Sequence, residues 1–316
     1  MKVDSLSVVV PIYNDEEVVE ALLARLDPAV APLADRYEII LVDDGSRDHS
    51  WDKMLWVKEH YPAVVLIRLS RNFGQQSAIA AGLSQTRYNY IVLMDSDLQD
   101  RPEDISLLLD ALIEHKASMA IAQWISREDT SMKKFVSKCF FEVSDRITDI
   151  HIQPRLGIFR VMRRQVVEEL KRFPEKTATT VSLLYYIGSN YVCVPLKRDA
   201  RFAGKSGYNL RKMLSLTFAR IFSFSMFPIR MPTYTGFSIA ALSFVAGLVL
   251  IIRRLCGFVF PGWTSMMVLI LFMFGLNFAF LGILGEYIGR VFLETKNRPK
   301  YIIQTLLPQE EDTSKQ

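Results

Sequence analysis

The chain has 316 residues, of which 50% are hydrophobic and 23% charged, and its formal net charge at pH 7 is +4. This length accommodates a full α/β domain and a second element. So small a positive charge argues against nucleic acid as a partner, because nucleic-acid-binding domains usually present a dense basic surface. Cys139, Cys193 and Cys256 have no C-x-x-C spacing and no nearby histidines at ligand spacing, which argues against a disulfide framework and a zinc site.

Short β-branched runs alternate with segments of helical pattern from residue 5 to about residue 123. The first run lacks the basic region and long apolar segment of a signal peptide, so we expect this part of the chain to stay in the cytosol. Strand followed by helix, repeated, predicts an α/β domain with a doubly wound, mainly parallel sheet. The predicted strands are residues 5–13, 37–44, 63–70, 88–97 and 117–122, and the clearest helical segments are Asp15 to Ala31 and Gln75 to Gln85.

Polar motifs follow the ends of four predicted strands. They are PIYN at 11–14, DDGS at 43–46, SRNFG at 70–74 and DSD at 95–97. In doubly wound sheets, ligands bind at the carboxyl ends of the strands. The sequence therefore predicts a single active-site edge.

Two apolar stretches dominate the C-terminal third, roughly Pro232 to Ile252 and Trp263 to Gly285. Each is close to the ~20 residues that cross a bilayer, so we predict a transmembrane hairpin over residues 232–293. Basic residues before the first stretch and after the second outnumber Arg253 and Arg254 in the connecting loop, which favours cytosolic termini by the positive-inside rule. A buried hairpin in a soluble protein is the alternative, and the lack of a polar face on either stretch argues against it.

The remaining segments complete the predicted organisation around a catalytic domain at residues 1–205. Residues 206–231 mix basic and apolar side chains, and fit either an interfacial amphipathic segment or a linker helix packed on that domain. Residues 294–316 are predicted to form a cytosolic tail, disordered after Leu307 because that part is polar and acidic. Gly285 and Gly289 form a G-x-x-x-G pattern that fits either homo-oligomer contacts or close packing within the hairpin.

The strongest chemical signal is MDSDLQD at residues 94–100, where acids two apart follow an apolar strand. Oxygen ligands of this kind suit Mg²⁺ or Mn²⁺ bound together with a diphosphate. A nucleoside diphosphate leaves readily only when its developing charge is neutralised, which a divalent cation achieves. A helix cap before Pro102 explains one of these acids but not all of them.

These motifs, together with FRVMRR at 159–164, RFAGKSGYN at 201–209 and LGEYIGRVFLETKNRPKY at 284–301, resemble those of the polyisoprenyl-phosphate glycosyltransferases of glycosyltransferase family two. That group contains bactoprenol glucosyltransferases, dolichol-phosphate mannose synthases and undecaprenyl-phosphate aminoarabinose transferases. The resemblance runs from about residue 5 to residue 303. It implies a GT-A fold and a multi-pass protein of the cytoplasmic membrane. It also implies transfer of a sugar, with inversion, from a nucleotide-sugar to undecaprenyl phosphate or a related lipid for surface-glycan modification.

The resemblance also implies roles for individual residues. Nucleotide contacts are expected from Pro11, Tyr13, Asn14, Glu16 and Asp44, with Asp44 at the base. Donor contacts are expected from Asp95, Ser96, Arg71, Asn72 and Gly74. The metal positions are Asp97 and Gln99. Phosphate contacts are expected from Arg127, Lys134 and Arg201. Asp95, Asp97, Arg127 and Arg201 are the predicted catalytic residues.

The chain departs from the family pattern at three positions. Ile158 replaces a frequent aspartate, Trp124 replaces an arginine, and Gly207 replaces a lysine for which Lys205 is a substitute. The missing carboxylate is chemically tolerable, because a phosphate monoester has a second pKa of about 6 and is already largely dianionic near neutral pH. The Trp124 and Gly207 departures bear on the acceptor phosphate site and on donor preference.

Alternatives to this reading come from three classes. A processive polysaccharide synthase usually carries Q-x-x-R-W, and no tryptophan in this chain follows an arginine. A non-catalytic membrane scaffold and a lipid-linked-sugar translocase remain as alternatives, and metal-dependent donor turnover lost on Asp97→Ala would separate them from an enzyme. The resemblance favours UDP-glucose as the donor and leaves other hexoses and amino sugars open.

Overall fold

The computed structural model describes residues 2–125, 156–173, 175, 179–187, 190–199, 227–256 and 262–309. The chain divides into two compact units. Within the described residues, the first unit comprises those up to 199 together with 299–309, and the second comprises 227–256 and 262–298. The predicted interfacial segment therefore lies outside the described residues except for 227–231.

The first unit alternates strands and helices as the sequence predicts. Its strands are β1 (Val3–Ile12), β2 (Ala34–Asp43), β3 (Val64–Leu69), β4 (Tyr90–Leu93), β5 (Met119–Trp124), β6 (Leu156–Arg163), β7 (Tyr191–Leu196) and β8 (Ile303–Leu307). Its helices are α1 (Val19–Val30), α2 (Ser50–His60), α3 (Gln75–Gln85), α4 (Ile105–Glu114), α5 (Arg164–Lys171) and α6 (Thr180–Ile187). Short 3₁₀ turns occur at Ala31–Leu33 and Pro102–Asp104.

The eight strands form one sheet in the order β7-β5-β6-β4-β1-β2-β3-β8. Strands β1 to β4 run parallel, and β5 is parallel to β7. Strand β6 is antiparallel to β4 and β5, and β8 is antiparallel to β3. The predicted doubly wound, mainly parallel sheet is confirmed.

The central strand β1 is buried on both of its faces, which explains its nearly continuous apolar sequence. Leu6, Val8 and Val10 belong to the core layer that includes residues of α1, α2 and α4. Val9 points to the other face, where α3 packs against β1 and β2. A Cβ atom at Gly82 of α3 would lie 2.4 Å from Val9 Cγ1, so the glycine allows this close approach.

The sequence analysis did not predict strand β8, because it assigned these residues to a cytosolic tail. Leu66 and Ile67 of β3 pair with Leu307 and Leu306, and the Ser70 N–H donates to the Ile302 carbonyl at 2.9 Å. Two contacts extend this attachment: Tyr301 Oη donates to Ser84 Oγ at 3.0 Å, and Lys58 Nζ donates to the Pro308 carbonyl at 2.7 Å. Lys58 Nζ also donates to the Val64 carbonyl of β3 at 3.0 Å. The chain beyond the second unit thus closes the β3 edge of the sheet.

The second unit contains two long helices that contact each other, α7 (Phe227–Leu255) and α8 (Trp263–Thr295). Within its described part, one stretch, Phe272–Thr295, is long and apolar enough to cross a membrane, while Tyr234–Ala246 in α7 is a shorter apolar stretch. Large apolar side chains on both helices are exposed, among them Phe237, Phe244 and Phe278. Exposed apolar surface of this extent is typical of a membrane or protein contact. The second membrane span remains a prediction.

Candidate active site

The sheet register brings the four polar motifs to one edge. Ile12 at the end of β1 pairs with Asp43 at the end of β2, which pairs in turn with Arg68 of β3. On the other side of β1, Val9 pairs with Leu93 at the end of β4. The loops that follow these strands therefore emerge next to one another, at the edge where such sheets bind ligands.

Asp44 connects two of these loops from a buried position. Its side chain lies directly after β2, and the residue is 2% exposed. Its two carboxylate oxygens accept hydrogen bonds from the backbone N–H groups of Phe73 and Gly74, each at 2.8 Å. Burial raises the pKa of the Asp44 carboxyl, and these two hydrogen bonds oppose that shift. Each oxygen keeps a second lone pair, so the carboxylate can still accept from a nucleotide base.

Gly45 makes the close approach of these two loops possible. It has a φ of 67°, and a Cβ atom there would lie 2.4 Å from the carbonyl carbon of Arg71 and 2.6 Å from the nitrogen of Asn72. We expect Gly45→Ala to lower the free energy of unfolding by about 2–4 kcal/mol, because backbone strain and a backbone clash add. Thermal unfolding of the full chain in detergent measures this loss.

Gly74→Ala is the matched control for this substitution. Gly74 also has a positive φ, 92°, but an added Cβ atom would meet nothing within 4 Å. This variant therefore introduces strain without the clash, and its Tm should fall less. Equal losses in the two variants would contradict the contact between the loops.

The predicted nucleotide residues at the end of β1 brace the loop after β2. Asn14 Oδ1 and Glu16 Oε2 accept from backbone N–H groups of that loop at 2.9 Å and 2.8 Å. Pro11 is buried in the strand, whereas Tyr13 is 41% exposed. The side chains of Asn14 and Glu16 thus shape the site, and their contact with a nucleotide stays a prediction.

The loop after β4 carries Asp95 and Ser96 and contacts two other loops. Gln75 Nε2 at the start of α3 donates to Asp95 Oδ1 at 2.7 Å. Ser96 Oγ donates to Asp15 Oδ2 at 2.5 Å. Burial raises the pKa of the Asp15 carboxyl, against the opposing effect of the Ser96 hydrogen bond. The sequence analysis assigned no chemical role to Gln75 or Asp15, although each directly follows a recognised motif, SRNFG and PIYN respectively.

Asp97 and Gln99, the predicted metal positions, lie two residues apart in the same loop. The Gln99 N–H donates to Asp97 Oδ1 at 3.1 Å, and Leu98 between them has a φ of 56°. Among the residues that the structure describes, no group of three or more His, Cys, Asp or Glu side chains is placed to hold a metal ion. A carboxylate and an amide oxygen are nevertheless hard ligands, and Mg²⁺ usually combines one or two carboxylates with substrate phosphates. The donor set therefore fits a cation that binds together with a nucleoside diphosphate.

Arg198, which the sequence analysis missed, lies two residues beyond the end of β7 and contacts this loop. Its Nε donates to Asp100 Oδ1 at 2.9 Å, and its Nη2 lies 3.9 Å from Asp95 Oδ2. Asp100 is fully buried; burial raises the pKa of its carboxyl, and the charge of Arg198 opposes that shift. The signal in the sequence was the basic segment KRDAR, in which only Arg201 was assigned a role.

The predicted donor residues after β3 differ in exposure. Arg71 and Asn72 are exposed, and the guanidinium carbon of Arg71 lies 4.6 Å from the centre of the Phe73 ring. Gly74 precedes α3 and donates to Asp44, as described above. This loop is therefore fixed at its end near Asp44, while its first residues face solvent.

Arg127, Lys134, Arg201 and Lys205 lie outside the described residues, as does Gly207. Their roles stay predictions from the resemblance.

Ile158, one of the departures from the family pattern, lies on β6 two residues before Arg160. Arg160 is fully buried and donates to the carbonyls of Ile158 and Gly157 and to Tyr185 Oη, at 2.9, 2.8 and 3.2 Å. Its guanidinium carbon lies 4.7 Å from the centre of the Tyr185 ring. Carbonyl oxygens and an aromatic face thus stabilise this cation inside the sheet unit.

Comparison with known proteins identifies the family. Residues 7–171 match the model described as Glycosyl transferase family 2. An uncharacterized glycosyltransferase of Synechocystis sp. is 37% identical over 302 residues, covering 95% of each chain. The bactoprenol glucosyl transferase of Shigella phage SfX is 35% identical over 302 residues, covering 95% of this chain and 99% of that protein. A prophage bactoprenol glucosyl transferase homolog of Escherichia coli is 34% identical over 301 residues, with 95% and 98% covered.

Solved structures agree at the level of the fold. Glucosyl-3-phosphoglycerate synthase from Mycobacterium tuberculosis, solved with Mn²⁺, UDP and glucosyl-3-phosphoglycerate, is 20% identical with a TM-score of 0.51, covering 69% of this chain and 78% of that chain. The same enzyme with UDP alone gives a TM-score of 0.52 at 19% identity, covering 70% and 79%. The described sheet and its helices thus have a GT-A-like architecture, and the chain is a glycosyltransferase that belongs to glycosyl transferase family 2.

Proposed function

We propose that this protein transfers glucose or a related hexose from a UDP-sugar to a polyisoprenyl phosphate at the cytosolic face of a membrane. The observation that carries the proposal is that the buried Asp44 carboxylate and the acidic loop 95–100 lie at one sheet edge and both bond to residues 73–75, in a chain that also has an apolar helix of spanning length. Relatives named bactoprenol glucosyl transferase match nearly the whole chain, which supports a lipid phosphate as the acceptor.

The residues of the site divide the chemistry among them. Asp44 accepts from the base, and Asp95 accepts from hydroxyl groups of the donor. Asp97 and Gln99 would hold a Mg²⁺ or Mn²⁺ ion, and the ion would neutralise charge on the leaving nucleoside diphosphate. Arg201 and Arg127, from their family positions, meet the phosphates.

The reaction is a single in-line displacement that inverts the anomeric carbon. An oxygen of the acceptor phosphate forms the new bond to that carbon while the bond to the nucleoside diphosphate breaks. The phosphate arrives largely as a dianion, so the site needs no general base where Ile158 stands. Alignment of the two substrates therefore supplies much of the rate enhancement.

The sheet constrains how the chain crosses the membrane. Strand β8 follows α8 in the sequence, yet it pairs with β3 in the same unit as the N-terminal strands. Both ends of the segment that contains α7 and α8 are thus held on one side, so this segment crosses the membrane an even number of times. With Phe272–Thr295 as one span, α7 supplies the return. This pairing supports a multi-pass hairpin with the catalytic domain and both termini on one side of the membrane, and the positive-inside rule favours the cytosol as that side.

Cys256 offers a direct test of this topology. It is an exposed residue that immediately follows α7. In a Cys139→Ser, Cys193→Ser variant of the full chain, we expect a membrane-impermeant maleimide added to intact cells to label Cys256, because the hairpin places the end of α7 outside. Mass shift on a gel measures the labelling.

Gln304→Cys in a variant without the three native cysteines is the matched control. Gln304 is exposed on β8, which the proposal places in the cytosol. It should be labelled only after the cells are permeabilised. Labelling of Cys256 that also requires permeabilisation would rule out the hairpin.

The function itself is tested with purified full-length protein in detergent. A panel of radiolabelled UDP- and GDP-sugars is offered with undecaprenyl phosphate in the presence of Mg²⁺, Mn²⁺ or EDTA. We expect one donor to give a lipid-linked product that EDTA abolishes and that mild acid releases as the free sugar. No lipid product from any donor, with protein that still binds UDP, would overturn the proposed acceptor.

A further inference from the structure

Arg198 lies between two acidic residues of loop 95–100 and an aromatic residue at the end of β5. Besides its hydrogen bond to Asp100 and its approach to Asp95, its guanidinium carbon lies 4.4 Å from the centre of the Trp124 ring. A guanidinium stacked on an indole is attracted by the negative face of the ring. Trp124 at the end of β5 therefore fixes the plane from which Arg198 reaches the acidic loop.

Gly157 gives the Trp124 indole its place. A Cβ atom at Gly157 would lie 2.5 Å from indole Nε1 and 2.8 Å from Cζ2, so any larger residue would displace the ring. Gly157 lies on β6, the strand hydrogen-bonded to β5. The position of the indole is thus set by the sheet and by contact with this glycine.

The residue after Arg198 attaches the same segment a second time. The Asp199 N–H donates to the Gln99 carbonyl at 3.0 Å, and Arg101 Nε donates to Asp199 Oδ2 at 2.9 Å. With the Arg198–Asp100 bond, three hydrogen bonds join residues 198–199 to residues 99–101. Gln99, a predicted metal position, is held directly by this connection.

The charges explain why Arg198 is needed. Asp95, Asp97 and Asp100 lie within a stretch of six residues, and the Asp100 carboxylate is fully buried, with no hydrogen-bond partner for its Oδ2 among the residues that the structure describes. A buried carboxylate is tolerated only when a cation or hydrogen bonds compensate for lost solvation. Without the guanidinium, the loop would turn Asp100 toward water and displace Gln99.

We propose that Arg198, held on the Trp124 indole, is a positioning residue that keeps loop 95–100 in the conformation that binds a divalent cation with a nucleoside diphosphate. This rests on the proposed function, and it extends that function to residues that touch neither the cation nor the donor. Trp124, which departs from the family pattern, thus has a role in this chain as the aromatic surface against which Arg198 packs.

The test measures binding of Mn²⁺ in the presence of UDP by the full-length protein, from the loss of the electron paramagnetic resonance signal of free Mn²⁺. Arg198→Lys keeps the charge but loses the planar group that stacks and bonds at once. We expect it to weaken Mn²⁺ binding about tenfold or more, and Trp124→Ala to weaken it by about threefold to tenfold. Trp124→Phe keeps an aromatic face and should restore most of the affinity.

The variant that combines Arg198→Lys with Trp124→Ala distinguishes a positioning effect from two unrelated losses of Mn²⁺ affinity. If Trp124 acts through Arg198, Trp124→Ala adds little to Arg198→Lys, whereas independent effects would add. Arg163→Lys is the matched control: Arg163 donates to the Ala117 carbonyl at 2.9 Å and lies 5.7 Å from the Tyr90 ring, near the other end of β6. It should bind Mn²⁺ as the wild type does.

The outcomes distinguish this proposal from the proposed function. Wild-type affinity in both Arg198→Lys and Trp124→Ala, or strictly additive effects, would overturn the positioning role. A wild-type protein that binds Mn²⁺ and UDP but forms no lipid product would overturn the acceptor assignment alone. A wild-type protein that does not bind Mn²⁺ with UDP would overturn both.

Discussion

Asp97→Ala is expected to reduce sugar transfer by roughly 10³-fold, the equivalent of about 4 kcal/mol of transition-state stabilisation. The substitution removes the charged member of the only carboxylate–amide pair predicted to hold the cation. It also removes the acceptor of the Gln99 N–H, so the second ligand loses its orientation. Initial rates over a range of Mn²⁺ concentrations measure the effect.

Two further measurements give this result its meaning. The variant should fold with a Tm close to that of the wild type, because Asp97 is only partly buried. Asp110→Ala, on α4, removes a carboxylate from a helix outside the site and should leave the rate near that of the wild type. If Asp97→Ala retained metal-dependent transfer, Asp97 would not be a ligand of the cation.

Asp44→Asn is expected to lower kcat/KM for the donor by about 10²-fold, mainly through a higher donor KM. The carboxylate accepts from two backbone N–H groups at once, through both of its oxygens. An asparagine has one carbonyl oxygen, so its amide group would face one of these N–H donors with a donor of its own. The loop from 71 to 74 would lose half of its attachment, and the base would lose its charged acceptor.

Asp48→Asn is the chemically matched control for Asp44→Asn. The Asp48 carboxylate also accepts from two backbone N–H groups, those of Ser50 and Glu16, at 3.1 and 3.2 Å. If the only cause were the loss of a carboxylate that accepts two backbone hydrogen bonds, both variants would raise the donor KM equally. We expect the larger rise in Asp44→Asn, and an equal rise in both would contradict the role of Asp44 at the base. Steady-state kinetics with the donor varied at saturating acceptor make the comparison.

The sheet could be predicted because its signal is local. Strands β1 to β5 coincide with apolar runs in the sequence, and α3 has the predicted bounds, Gln75–Gln85. Helix α1 begins at Val19, four residues later than the predicted Asp15, because residues 15–18 form the loop whose backbone is bonded by Ser50 and Asp48. The first residue of such a helix depends on contacts with another loop. The spacing of apolar residues along the helix carries no information about those contacts.

The candidate site was only partly predictable. The sequence located the acidic loop and Asp44, because acids after buried strands stand out against apolar surroundings. It did not predict that Asp44 holds the loop after β3, or that Arg198 bonds to Asp100. Both contacts join residues that are about 30 to 100 positions apart, and their partners are fixed by strand order.

Sequence alone thus determined the α/β class, the sheet edge that carries the polar motifs, the family resemblance and the two apolar stretches, since each depends on residue type and short spacing. Tertiary structure alone decided that β8 returns to β3, that the Arg198 guanidinium lies over the Trp124 ring, and which polar atoms at the site are already bonded. The physical reason is that a five-residue strand or a single arginine has many possible partners, and the local sequence favours none of them over the others. Only the folded sheet, which brings distant loops to one edge, selects among them.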